Sequence, residues 1–295
     1  MLTKFEYLIA LAREKNFTRA ADACGVSQPS FSASIRALED SLGLLLVIRS
    51  SRFQGFTPEG EIVLSWARRV CGDLRSMHAE LASATGGLAG VLRMAVIPTA
   101  LTVVAGLTTP FRARHPNVRF SVQSCNSVNI LRQLENAEID AGVTYLDHEP
   151  VGKFRALPLY QERYRLVSTR SSPLGQRRAV SWAEVSQTPL CLLTPDMQNR
   201  RIIDRLLSNA GTHAPPALES NSIVALLAHV RTGDWSCVLP EKLVAFFGLG
   251  QDFRAIPINE PDEAHMVGLL VTEHTPMPPL AQALFSLVAE GGLVL

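Results

Sequence analysis

The chain has no uninterrupted apolar run of about eighteen residues, so nothing in it reads as a membrane-spanning helix. Cysteine is sparse: Cys24, Cys71, Cys125, Cys191 and Cys237 are odd in number, far apart and form no C-x-x-C, which argues against a disulfide framework or a zinc site. Net charge is almost absent, +1 over 295 residues, so bulk electrostatics gives no sign of nucleic acid and any case for DNA rests on local pattern. Catalytic signatures are missing too. There is no G-x-S-x-G and no G-x-x-x-x-G-K-[ST], and Gly248-Leu249-Gly250 lacks its third glycine because Phe253 stands there. Asp147-His148-Glu149 has metal-ligating residue types, but three consecutive side chains do not readily face one ion, and a solvated loop is the simpler reading. His213, before Pro215-Pro216, reads as a loop residue as well. No catalytic residue, metal or cofactor is expected. The start Met1-Leu2-Thr3-Lys4-Phe5-Glu6 meets an acidic residue before any apolar run and has no cleavage pattern, which points to the cytoplasm.

What is present is size and pattern. With 47% hydrophobic residues the chain can bury more than one core, and two or three domains are expected. The most informative stretch is 17–40, FTRAADACGVSQPSFSASIRALED. Thr18 is placed to cap a short helix whose Ala20, Ala21 and Cys24 are small enough for close crossing, and Gly25 permits a sharp turn. Val26 anchors that turn. Ser27 caps a second helix starting near Gln28, and Pro29 is tolerated in its first turn, where the missing N–H would be unpaired anyway. Phe31, Ile35, Leu38 and Leu42 fall on one stripe; Pro29, Ser30, Ala33, Arg36 and Ala37 fall opposite. The narrow, small-residue exposed face suits a major groove, with Gln28 at its tip able to read adenine. Helix 1, Leu2 to about Glu14, puts Phe5, Leu8, Ile9 and Ala12 at helical spacing and completes a three-helix core. Leu42 to Pro58 carries Arg49 and Arg52 with no acidic residue, as a hairpin against phosphates requires. The bland alternative is an ordinary helical hairpin.

The chain resembles the LysR-type transcriptional regulators. The matching residues are Phe17, Ala20, Ala21, Ser27-Gln28-Pro29, Ser32, Ile35, Ala37-Leu38-Glu39, Leu42-Gly43, Leu46, Arg49, Arg52 and Thr57-Pro58-Glu59-Gly60. The resemblance implies a winged helix-turn-helix whose third helix enters the major groove, with contact roles at Gln28, Pro29, Ser30, Ser32 and Arg52; Ser27, Arg36 and Arg49 are further expected DNA-binding residues. The sequence departs from the family at Ala33, where an arginine is usual and Arg36 is positioned to compensate. It departs again at Val47, where a phenylalanine usually precedes the wing, which bears on the wing's angle.

From Glu59 to about Ala84, Val63, Ala67, Val70, Leu74, Met77 and Leu81 form a heptad stripe on a helix roughly 40 Å long. We read it as the dimerisation helix; the alternative is a helix lying on its own C-terminal domain. Thr85-Gly86-Gly87-Leu88-Ala89-Gly90 then breaks the helix as a hinge. Beyond it, strand-like and helical runs alternate: Val91–Ile97, Thr99–Arg114, Val118–Gln123, Ser127–Asn136 and Ile139–Tyr145. Further strands are expected at Tyr164–Ser168, Leu190–Thr194, Ser236–Leu239, Phe253–Ile258 and Met266–Thr272, with helices near Met197–Ser208, Ile223–Arg231 and Pro279–Ala289. The fold class expected is α/β, organised as a winged helix-turn-helix (1–58), linker and hinge (59–88) and a two-lobed effector domain (89–295). Lobe I is expected at about 89–161 and 268–295, and lobe II at about 162–267. The family resemblance likens this half to a type II periplasmic binding protein with a ligand cleft.

Helix N-termini at such a cleft favour a small anion. Thr99, Asn126, Ser127 and Asn199 sit at three such tips and Thr144 ends the third strand; these are the expected effector ligands, and helix capping is the open alternative. The expected partners are double-stranded promoter DNA, a small-molecule effector, RNA polymerase and further copies of the chain in a dimer or, by family resemblance, a tetramer. Two rival functions are a catalytic α/β domain fused to the DNA-binding unit and a redox sensor using Cys191 and Cys237.

Overall fold

The computed structural model describes residues 1–49, 53–147, 152–248, 253–259, 261–273 and 277–291. Arg52, His148, Glu149, Leu249 and Gly250, on which expectations were placed, lie outside the described residues.

Three helices, α1 (Leu2–Glu14), α2 (Phe17–Ala23) and α3 (Gln28–Leu42), enclose Leu8, Leu11, Ala20, Ala21, Phe31, Ile35 and Leu38. The cap of α2 is Asn16 rather than Thr18: its Oδ1 accepts the Arg19 N–H at 3.0 Å, and the helix starts early enough for Phe17 to pack edge-on against Phe31. Asparagine caps as well as threonine does, so the sequence offered two candidates. Gly25 turns with φ of 69°, and Ser27 caps α3 as expected.

The wing is an antiparallel pair, β1 (Val47–Arg49) and β2 (Phe53–Phe56). Val47 is buried there, so the residue that departs from the family pattern still packs inward. Glu39 ties the wing to α3, its buried Oε1 accepting the N–H groups of Leu46 and Val47 at 3.0 and 3.1 Å. Thr57 caps the next helix, α4 (Pro58–Gly86), taking the Gly60 N–H at 2.9 Å while its own hydroxyl donates to the Leu45 carbonyl at 2.7 Å. The four residues Thr57-Pro58-Glu59-Gly60 are thus a joint between wing and linker.

The stripe on α4 differs from the expected one. Val63 and Ala67 pack into the N-terminal core together with Leu64, because α1 lies against this half of the helix. The apolar residues left outward are Ile62, Trp66, Val70, Met77 and Leu81, exposed by 61, 59, 37, 47 and 61%. A third face touches the C-terminal domain: Arg68 pairs with Glu138 at 2.9 Å and Arg75 donates to the Ala137 carbonyl at 3.0 Å. The reading of the helix as lying on its own C-terminal domain thus holds for one of its faces. The helix runs through Gly86, slightly further than expected, and Gly87, at φ 82°, ends it.

The C-terminal domain opens with β3 (Gly90–Val96), a 3-10 turn (Pro98–Val103), α5 (Val104–Arg114), β4 (Val118–Ser124), α6 (Ser127–Glu135), β5 (Ala141–Tyr145) and β6 (Phe154–Glu162). It continues through β7 (Tyr164–Thr169), β8 (Val180–Ser181), α7 (Trp182–Val185), β9 (Cys191–Leu193), α8 (Gln198–Asn209) and β10 (Leu218–Ser220). The remainder is α9 (Ile223–Val230), β11 (Cys237–Pro240), α10 (Glu241–Phe247), β12 (Phe253–Asn259), β13 (His265–Thr272) and α11 (Pro279–Ala289). The first sheet has the order β4-β3-β5-β13-β6 and the second β11-β7-β12-β8, with the parallel β9–β10 pair joined to β11 through a Leu190–Ser236 bridge.

The chain crosses between sheets at Arg163 and returns after β12, and Arg163 donates to Asp262 on the returning strap. Because His265–Val267 pair with Tyr160–Glu162, the first lobe takes in Glu162 and begins again at His265, a few residues from the expected boundaries. β6 was not foreseen. It contains Pro158, which argues against a strand from sequence, yet it lies at the edge of its sheet, where a missing donor is tolerated.

Candidate DNA interface and interlobe cleft

At the start of α3, Ser27, Gln28, Pro29 and Ser30 are exposed, with Ala33 and Arg36 on the same outward face. Gln28 Nε2 donates to Ser32 Oγ at 3.0 Å, and the hydroxyls of Ser27 and Ser30 lie 2.9 Å apart. Phe31, Ile35 and Leu38 fix the opposite face in the core, so this polar tip stands on a rigid support. Small residues around one amide and one guanidinium let a helix approach base edges closely. Arg49 closes β1.

The second candidate site lies between the two sheets. A narrow cavity of about 10 Å³, room for about one water molecule, is lined by Thr99, Asn126, Tyr145, Met197, Gln198 and Asn199, among others. Four of the five expected effector residues are nearly or fully buried: Thr99 at 2%, Ser127 at 0%, Thr144 at 0% and Asn199 at 4% exposure. Their roles differ. Asn126 caps α6, accepting the Asn129 N–H at 2.9 Å, and its Nδ2 reaches Asp196 Oδ2 of the other lobe at 2.8 Å. Ser127 is not a cap; its Oγ accepts from Thr144 at 2.9 Å, and the pair stands behind the cavity wall. Asn199 is the second residue of α8 and caps nothing, since Met197 precedes the helix. Thr99 Oγ1 and both polar atoms of the Asn199 amide are buried and make no hydrogen bond of normal geometry, although Thr99 lies against Glu162 and Asn199 against Tyr164.

Sequence reasoning missed Glu162, Tyr145, Tyr164 and Asp196. Glu162, 1% exposed, ends the unforeseen edge strand beside the hydroxyls of Tyr145 and Thr99, yet neither of its oxygens makes a hydrogen bond of normal geometry. The Tyr145 and Tyr164 hydroxyls lie 3.3 Å apart, and burial pushes both well above the usual phenol range. Hydrogen bonds from Thr194 and Asn126 hold the Asp196 carboxyl below its usual value. Burial pushes Glu162 up to about 7, with Tyr145 and Thr99 pulling the other way.

Between the ordinary value of 4.5 and about 7 the folded chain therefore holds a proton at Glu162 that the unfolded chain has released, so this group's contribution to stability falls as pH rises through that window. Above it the buried carboxylate costs up to about 3 kcal/mol. Glu162→Gln should accordingly melt higher than wild type at pH 8 and close to it at pH 5, in parallel scans of the two proteins. A pH-independent difference would remove Glu162 as the titrating group.

Cys191 and Cys237 are fully buried on β9 and β11. A hydrogen bond from Cys237 holds the Cys191 thiol down, while burial pushes Cys237 well up. Asp147 accepts the Met266 N–H and serves the sheet, and among the described residues no three metal-ligating groups come together.

Known proteins share both halves. Residues 2–61 match the bacterial regulatory helix-turn-helix model of the LysR family, and residues 85–292 match the LysR substrate binding domain. The hydrogen peroxide-inducible genes activator of Dickeya chrysanthemi is 28% identical over 274 residues, covering 92% of this chain and 89% of that protein. Full-length OxyR of Pseudomonas aeruginosa, in a point-variant form, superposes with a TM-score of 0.74 at 24% identity over 97% of this chain and 96% of that one. The LysR family regulator CbnR in complex with its target DNA gives a TM-score of 0.71 at 21% identity, covering 98% and 99% of the two chains. No helix among the described residues is long and apolar enough to cross a membrane. With matched models over both the DNA-binding and the C-terminal unit, the chain belongs to the LysR family of DNA-binding transcriptional regulators, a family of regulators and not of enzymes.

Proposed function

We propose that this regulator is switched by a small molecule bound between its two lobes, and that α3 delivers the switch to promoter DNA. One observation carries the first part: Thr99 and Asn199, on opposite lobes, line one cavity with buried polar groups whose bonds to Glu162 and Tyr164 are not of normal geometry. A buried donor or acceptor left poorly paired is costly, by up to about 1–3 kcal/mol, so a guest that pairs these groups better shifts how the lobes close on each other. Closure changes the angle at the break after Gly86 and hence the spacing of paired DNA-binding units. RNA polymerase is the machinery such a change addresses, in the cytoplasm, from a tetramer built on linker dimers.

Thr99→Val keeps side-chain volume and removes the hydroxyl. It should abolish the thermal shift given by a library of small acids on the full chain and leave the unliganded footprint as in wild type. Loss of the footprint along with the ligand response would make Thr99 a structural residue and move the effector site elsewhere.

For α3, Gln28→Ala should cost on the order of 1–3 kcal/mol of operator affinity and relax preference at one base position. Arg52→Ala should weaken all sequences alike and lower the salt slope by about one. Competition binding to single-base operator variants, at several salt concentrations, separates the two; a uniform loss from Gln28→Ala would remove it from base reading.

A second reading draws on relatives named hydrogen peroxide-inducible genes activators and on the adjacency of Cys191 and Cys237. It requires an oxidant to reach two thiols with no exposed surface. Peptide mass mapping after peroxide should find both as free thiols; a Cys191–Cys237 disulfide in native protein would establish the redox reading instead.

A further inference from the structure

Where α4 meets the C-terminal domain it is pinned at one end of the contact. Arg68 pairs with Glu138, Arg75 donates to the Ala137 carbonyl at 3.0 Å, and Gly72 comes so close that a Cβ there would stand 2.8 Å from the Ala137 Cβ. Between this part of the helix, the start of β3 and the start of α11 lies a cleft of about 450 Å³. That is a volume at which small organic molecules are commonly held.

The floor of the cleft is apolar, formed by Val91, Ile139, Pro278 and Leu280, of which Ile139 and Leu280 are buried in lobe I. Two guanidiniums line it, Arg75 from α4 and Arg93 from β3, beside the Asp140 carboxyl. Asp140 is already engaged: its Oδ2 accepts the Arg93 N–H at 2.7 Å and lies 3.8 Å from Arg93 Nη1. The other contact of Arg93 Nη1 is a long one, 3.5 Å to the Val91 carbonyl. Arg75 commits one donor of its fork to Ala137 and, among the described residues, forms no ion pair. Partial burial and the nearby Arg93 charge hold Arg75 below its ordinary value, with Asp140 offsetting part of this. Asp73 and His78 stand exposed at the rim. Two guanidiniums with uncommitted donors over an apolar floor suit an organic anion.

We propose that this cleft is a second small-molecule site, separate from the interlobe cavity, for an amphipathic monocarboxylate whose carboxylate lies between Arg75 and Arg93 and whose hydrocarbon body covers Ile139 and Leu280. One guanidinium belongs to the linker helix and the other to lobe I, so the guest ties the two together and fixes the angle between them. The site stands or falls without the interlobe effector reading.

Calorimetry on the full chain with phenylacetate, hexanoate and their amides tests it. Both acids are larger than the interlobe cavity, and each should bind at least about tenfold tighter than its amide. Arg75→Gln, a change at an exposed position of α4, should bring acid and amide within about twofold of each other. Ser76→Trp fills the cleft from the helix side, leaves both guanidiniums in place and should abolish binding of the acids; Arg75→Gln carries the test if this variant does not fold. Thr99→Val should bind both acids as wild type does. Equal binding of acid and amide overturns the ligand class. Acid binding unchanged in either α4 variant, or lost with Thr99→Val, places the acid elsewhere and overturns the site, as does the absence of binding by both acids. A smaller sedimenting mass for Ser76→Trp would make the cleft a contact between copies and overturn it as well.

Discussion

Gly60→Ala should dislodge the wing from the linker helix and abolish measurable operator binding while the C-terminal domain stays folded. A Cβ at this position would stand 2.1 Å from the Leu46 carbonyl oxygen and 2.9 Å from its carbon, both backbone atoms. Neither can swing aside, because Leu46 is held from two directions: its N–H by Glu39 and its carbonyl by the Thr57 N–H at 2.9 Å. Overpacking of this kind costs about 1–3 kcal/mol or more, a large share of a small domain's stability. Calorimetric melting should lose or lower the N-terminal transition and leave the other in place. A variant that melts and binds like wild type would show that the joint yields, and the close approach would then carry no functional weight.

The second large effect concerns assembly. Trp66→Lys, or Ile62→Lys, should convert the protein to smaller species in sedimentation and reduce affinity for a two-half-site operator by about a hundredfold, since each DNA-binding unit then acts without its tethered partner. Trp66 is 59% exposed, with the Arg69 guanidinium 5.5 Å from its ring, and it continues an outward apolar row from Ile62 to Leu81. A tryptophan buries about 150–250 Å² when covered, and a charge in its place has no counterpart across a two-fold axis, where it meets its own copy. Leu74→Lys, on the same helix but half-buried against the chain itself, should act more weakly. Unchanged mass with Trp66→Lys would exclude this row as the seam.

The two halves of the chain were not equally readable. Between Phe17 and Gly60 each local signal serves one purpose: Ser27 caps, Gly25 turns, Phe31, Ile35 and Leu38 pack, and Thr57 joins wing to linker. At its edges the local signals are ambiguous: Asn16, not Thr18, caps α2, and just past Gly60 Val63 and Ala67 are covered by α1 rather than by a partner copy. A heptad pattern records that a face is apolar; it does not record which neighbour covers it.

In the C-terminal half the repeating strands and helices were legible because burial on both faces gives continuous apolar runs, as in Ala141–Tyr145. Edge elements were not. β6 carries Pro158, and the short helix α10 and strand β10 are too brief for periodicity to speak.

The sequence by itself determined the DNA-binding unit, the linker and the two-lobed α/β class, because caps, turns and apolar spacing act within a few residues of one another. It also marked Thr99, Asn126 and Asn199, which lie at the starts of helical segments. Only the tertiary structure brought Glu162, Asp196 and Tyr164 beside them. These residues come from strands, loops and lobes far apart in the chain, and no local spacing encodes the crossing at Arg163 that sets them face to face. Burial is likewise a property of the assembled lobes, and it is burial that raises the Glu162 carboxyl far above its ordinary value.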